Sequence, residues 1–233
     1  MLLHREIESD GCDGAAAAAW LRPETLDTLQ ELNELSLGLL TEQALARGAA
    51  ACPLLREVSQ LWRMLDAAAR HRAAACPYLL LDAGFADAAR WQTGTAAQVG
   101  DAAEGAYAAF FTVTAAKEAA RLVFTYGWHL ACAQPAAARL LLGMPPASAA
   151  LISRYTLRQI QTLAERRPDW LKPRWPARVQ VWRELLLAAT GGEGAALERA
   201  RLRGLTLLAA EGWRAAAPAA ATRSPHAAVG RAR

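Results

Sequence analysis

Between Arg154 and Arg183 the chain gathers Arg158, Gln161, Thr162, Arg166, Arg167, Lys172, Arg174 and Arg178. Guanidinium and ammonium groups neutralise phosphate, while Arg and Gln carry the donors that match the edges of guanine and adenine. The spacing suggests a nucleic-acid contact. Arg158, Gln161, Thr162 and Arg166 share the outer side of one short helix, and the cations that follow would lie beside it as phosphate contacts that position without specifying sequence. Trp170, Trp175 and Trp182 interleave with these bases. Aromatics so placed either stack on bases or anchor an irregular proline-rich segment to the core, and the second use is the commoner.

The overall charge distribution points the same way. Residues 1–153 carry 11 basic and 16 acidic side chains, a net of −5, and residues 154–233 carry 15 and 6, a net of +9, for the overall +4. Such asymmetry fits a surface that meets nucleic acid or an acidic partner. Only Lys117 and Lys172 are lysines, so a general bias toward Arg and Ala would produce the same excess. Other chemistry is poorly signalled. No phosphate-binding loop, nucleophile elbow, HExxH or EF-hand pattern occurs, and no enzyme is expected. Cys12, Cys52, Cys76 and Cys132 lack the spacing of a zinc site or a disulfide framework and are expected to be buried, inert thiols, with no cofactor and no metal. His129, between Trp128 and Leu130, is expected to be a hydrogen-bonded core residue.

With 54% hydrophobic residues in 233, many of them Ala, and few strand formers, the chain should be all-α, a multi-helix bundle. Residues 1–21 read as a mobile N-terminal arm, 22–92 as an N-terminal helical region, 101–211 as a C-terminal helical domain and 215–233 as a disordered tail. Pro23 should open an amphipathic helix running to about Arg47, and Pro53 a second that ends before Cys76. The run Tyr78–Asp82 is too short to classify. Asp101 is a plausible N-cap for a long buried stretch to about Ala133, with Tyr107, Phe110, Phe111, Leu122, Val123, Tyr126 and Leu130 as core, and a break near Thr112–Thr114. The pattern thins at Thr190-Gly191-Gly192, and a last helix spans about Ala195–Glu211. The longest apolar run, Gly105–Ala116, falls short of the roughly 20 residues a membrane span needs, and no signal-peptide pattern opens the chain, so the expected location is cytoplasmic.

The sharpest local grammar lies from Ala120 to Trp175. Gly143 fits a helix C-cap, and Pro145-Pro146 start a short helix over about Ala147–Ser153. Thr156 and Gln159 form a T-x-x-Q capping box, which opens a second short helix at Leu157 that Pro168 closes. Its inward face should be Leu157, Ile160, Leu163 and Ala164. The two together have the outline of a helix-turn-helix, or of an ordinary packed hairpin.

The residues Ala120–Leu130, Leu140–Met144, Tyr155–Glu165 and Arg174-Trp175 resemble the core of the flagellar transcriptional regulator FlhD family, over residues 120–175. The most specific pieces are Leu142-Gly143-Met144 and the Thr-Leu-x-Gln-Ile-x-x-Leu-Ala-Glu helix at Thr156–Glu165. The resemblance implies an all-helical, dimer-forming subunit that joins a second protein, FlhC, to act on DNA at flagellar promoters, with a structural zinc supplied by that partner. It places the Thr156–Glu165 helix in a helix-turn-helix-like element. The family is about half this length, and Pro168–Pro173 replaces a segment that lacks prolines in it. A weaker likeness in Leu32–Leu40 and Met64–Cys76 raises a degenerate tandem forming a pseudo-dimer, against the simpler account that amphipathic helices look alike. Two functions follow as expectations: an FlhD-like regulator acting on DNA within a protein complex, or a non-DNA helical adaptor of a secretion or flagellar apparatus. Homo-oligomer formation is open.

Overall fold

Pro23 and the leucines spaced three and four residues apart after it form α1 (Pro23–Leu45), which buries Leu29, Leu32, Asn33, Ser36, Leu37 and Leu40. In the computed structural model, which describes residues 21–46, 52–93, 110–111 and 113–216, ten more helices follow. They are α2 (Pro53–Glu57), α3 (Ser59–Met64), α4 (Ala67–Ala74), α5 (Ala88–Thr93), α6 (Val113–Ala133), α7 (Pro135–Leu142), α8 (Pro146–Ile152), α9 (Leu157–Arg166), α10 (Val179–Gly191) and α11 (Gly194–Ala216). The fold is all-α, and the described residues add one 3-10 turn at Pro168–Trp170 and two short strands, β1 (Leu81–Asp82) and β2 (Lys172–Pro173), paired antiparallel.

Prolines set the helix starts: Pro23, Pro53, Pro135 and Pro146 stand in the first turn of α1, α2, α7 and α8, where the missing N–H costs nothing. Gly143 adopts the left-handed conformation at φ 69° and ends α7. A Cβ on it would also meet Leu208 Cδ1 of α11 at 2.6 Å, so a larger residue would have to displace that side chain. The capping box is present as expected, with the Thr156 hydroxyl accepting from Gln159 N and the Gln159 carbonyl oxygen accepting from Thr156 N at 2.8 Å.

Several expectations are corrected. The second helix comes in three pieces, because Val58 and Leu65 leave helical dihedrals and Asp66 caps α4 by accepting from Ala69 N at 2.7 Å. The run Tyr78–Asp82, for which the sequence gives no class, ends in the two-residue strand β1. The last helix runs on to Ala216, and α10 precedes it. Leu157, Leu122 and His129 are exposed rather than buried, since α9 and α6 bury their opposite sides against each other. Cys132 is exposed, whereas Cys76 is buried and Cys52 half-buried. The expected arm over residues 1–20, Cys12, Asp101, Tyr107 and the tail beyond Ala216 lie outside the described residues.

The two halves of the fold repeat one order: a long helix, three short ones, a strand and a further helix. The long helices α1 and α6 start 90 positions apart, as do the N-caps Asp66 and Thr156, each accepting from the backbone three residues on. Packing repeats as well. The short helices α3 and α4 pack on α1, and α8 and α9 pack on α6. Asp82 and Lys172, also 90 apart, are partners in the strand pair. The helix after each strand crosses to the other half: α5 packs on α8, and α10 packs on α3. Trp91 of α5 sits among Phe124, Tyr155 and Trp170, while Trp182 of α10 sits on Trp62. This reciprocity amounts to an approximate two-fold relation, with the β1–β2 pair on its axis.

The strands bring Tyr78 and Cys76 into the core. Desolvation pushes the Cys76 thiol up to about 12, and it also raises Tyr78 above the ordinary phenol range. An acid whose pKa is raised by folding holds its stabilising effect below the unfolded value and loses it as pH climbs toward the folded value. Stability should therefore be flat to about pH 8.5 and then fall, because the unfolded thiol ionises near 8.5 and the folded one does not. In urea titrations at pH 8 and pH 10, wild type is expected to lose about 1–2 kcal/mol more than Cys76→Ala over that interval. Equal losses in the two proteins would refute this.

Candidate interaction surfaces

Of the cations singled out by the sequence, Arg174 is placed farthest from any ligand. It is 5% exposed, and its guanidinium donates from Nε to Leu79 O at 2.7 Å and from Nη2 to Leu142 O at 3.0 Å and Leu81 O at 3.4 Å. Its own backbone joins in, with Arg174 N donating to Leu80 O at 2.8 Å and Arg174 O accepting from Trp182 Nε1 at 2.7 Å. Burial lowers its pKa from the usual guanidinium value, and the carboxylates of Asp82 and Glu211 oppose that shift. Arg174 is thus a buried clamp, and its assignment as a DNA contact is withdrawn.

The others do not form one face. Arg167 donates from Nε and Nη2 to the two carboxylate oxygens of Asp169 at 3.1 and 3.0 Å, and its guanidinium lies 5.3 Å from the centre of a Trp170 ring. Lys172, in β2, stands 3.6 Å from Asp82. Thr162 is half-buried, and its hydroxyl donates to Arg158 O at 2.9 Å, back along its own helix. Gln161 is half-buried at the edge of a groove described below. Arg158 and Arg166 are exposed on α9, and Arg178 is exposed beside α2 and Arg183, in a hollow that no α9 residue lines. The helix-turn-helix outline also changes in three dimensions, since α9 packs chiefly on α6, and α8 on α6 and α5, rather than on each other. Trp170, Trp175 and Trp182 are buried anchors; Trp175 Nε1 donates to the Glu211 carboxylate at 2.9 Å.

Sequence reasoning missed a large concavity. A groove of about 1090 Å³ opens between α1, α6 and the start of α9. Leu32, Leu35, Leu122, Trp128 and Leu157 supply its apolar lining, and Arg22, Glu24, Glu31, Glu118 and Arg121 its charged rim. Thr25 closes one end, accepting from Tyr126 Oη on its carbonyl at 2.9 Å and from Gln134 Nε2 on its hydroxyl at 3.0 Å. Burial raises the Tyr126 pKa above the ordinary phenol value, so this donor keeps its proton. His129 also lines the groove. The signal available in the sequence was the seven-residue step from Leu122 to His129, which puts both on one helix face.

Among the described residues, no group of three or more His, Cys, Asp or Glu side chains gathers to hold a metal ion. No single described helix is long and apolar enough to cross a membrane; the apolar α7–α8 pair is bent by 119° and buries Ala137, Ala138, Leu141 and Leu142. The chain matches no family model, no curated protein and no solved structure.

Removing the Arg174 guanidinium strands three buried carbonyls, each costing about 1–3 kcal/mol. Arg174→Ala is expected to lower stability by about 3 kcal/mol or more, whereas the exposed pair Arg158→Ala with Arg166→Ala should stay within about 0.5 kcal/mol of wild type. Denaturant titrations of the two proteins check this, and an Arg174→Ala protein as stable as wild type would return that residue to the surface candidates.

Proposed function

We propose that this chain is a regulatory subunit of the FlhD type, acting on transcription within a protein complex, with two FlhD-like units carried in one chain. The observation that carries the reading is the repeated order of elements about an approximate two-fold, in which the second copy bears the FlhD-like residues on α6 to α9. A family that works as a dimer and a chain about twice its length with two like-built halves are mutually consistent. Contact with bases falls largely to the partner protein, because Arg174 is buried and Arg167 and Lys172 are spent on Asp169 and Asp82. Arg158 and Arg166 remain to touch phosphate, where they add affinity without sequence preference.

That same dispersal of cations favours one rival, a helical adaptor that never meets DNA. Chromatin immunoprecipitation of the full-length chain separates the two. The regulatory reading expects discrete promoter peaks that persist in the Arg158→Ala, Arg166→Ala double variant. Loss of all peaks in that variant would put base recognition on α9, and an absence of peaks in wild type would leave the adaptor.

A further inference from the structure

The groove between α1 and α6 contains both members of several equivalent pairs. Leu32 and Leu122 line it together, as do Leu35 and Thr125, and Glu31 and Arg121, each pair 90 positions apart. A patch holding both copies of equivalent residues must lie across the axis that relates the halves. It therefore marks one exit of the axis from the molecule, while the Asp82–Lys172 pair lies elsewhere on it. At the groove, Leu122 and Leu157 are 48% and 42% exposed, an unusual cost for leucines on a helix pair's open side.

The charges on the rim carry the argument further. Glu31 and Arg121 hold equivalent places in the two halves with opposite sign, and neither makes an ion pair within the chain among the described residues. A two-fold contact between identical molecules is isologous: residue i of one meets residue j of the other, and j meets i. Opposite charges at equivalent places satisfy that condition twice, once on each side of the axis. The geometry points to a second copy of this chain as the occupant, docked face to face with the two grooves opposed, Glu31 of each copy against Arg121 of the other and Leu122 and Leu157 covered between them. This goes beyond the regulatory reading and does not depend on it.

Sedimentation velocity on the full chain tests the contact with charge reversals. Wild type is expected at about twice the 25.0 kDa of one chain. Glu31→Arg places arginine against Arg121, and Arg121→Glu places glutamate against Glu31, so each turns two attractions into two repulsions and should weaken self-association by about tenfold or more. The double reversal restores both pairs and should restore the dimer. Far-UV circular dichroism on the same samples shows that the exposed substitutions leave the fold intact. A wild type that stays monomeric would overturn the proposal and leave the groove to a partner helix or to residues 1–20. A dimer indifferent to the single reversals, or one that the double reversal fails to rescue, would overturn it as well.

Discussion

A guanidinium cannot be taken out of water unless its donors are met, and Arg174 is met by three carbonyls drawn from both halves of the chain. Leu81 opens the first strand, Leu79 lies two residues before it, and Leu142 ends the helix that follows α6. The clamp therefore fixes where β1 runs, where β2 pairs with it and where α7 stops. Gly143 follows Leu142 in a left-handed turn, and a Cβ there would press on the Cδ1 of Leu208, which brings α11 onto the same point. Trp182 donates to the Arg174 carbonyl, and Trp175 reaches Glu211, so α10 is tied to it through the Trp182 indole and α11 through the Glu211 carboxylate. Few of these groups could be changed singly without leaving a buried polar atom unpaired.

Local grammar was legible wherever one or two residues decide the outcome. Pro23, Pro53 and Pro146 mark helix starts, Gly143 a C-cap, and Thr156 with Gln159 a capping box, because each acts through its own backbone within a turn. The breaks at Val58 and Leu65 were hidden, since the apolar spacing continues through them and only packing against α1 and α10 decides that the chain must bend. The site was less legible than the fold. An arginine reads the same in a sequence whether it faces solvent, as Arg158 does, or clamps carbonyls, as Arg174 does; the difference lies in Leu79 and Leu142, distant in the chain. Its place between Pro173 and Trp175, directly after β2, was the only local hint. Leu122 and Leu157 likewise look like core, and only the arrangement of α1 against α6 leaves them open.

The exchange of α5 and α10 gives this arrangement its consequences. Each half alone would leave Trp182 without Trp62, and Trp91 with Phe85 but without Phe124 and Trp170. Burying such a side chain stabilises by about 3–5 kcal/mol, a large part of the net stability of a domain. A chain built in this way holds its two halves in fixed relation at any concentration, where a dimer of separate chains would fall apart on dilution. It also carries different side chains at equivalent places, Glu31 against Arg121 and Leu35 against Thr125, so its two faces can be specialised as those of a homodimer cannot.

The central claim is that the halves form one cooperative unit through reciprocal exchange. Its most direct test is to insert a specific protease site within residues 94–109, cleave the purified protein and follow the products by sedimentation and denaturant unfolding. The account predicts that the nicked halves sediment as one particle of unchanged mass and unfold in a single transition. Halves that separate in buffer, or unfold at two distinct midpoints, would contradict it.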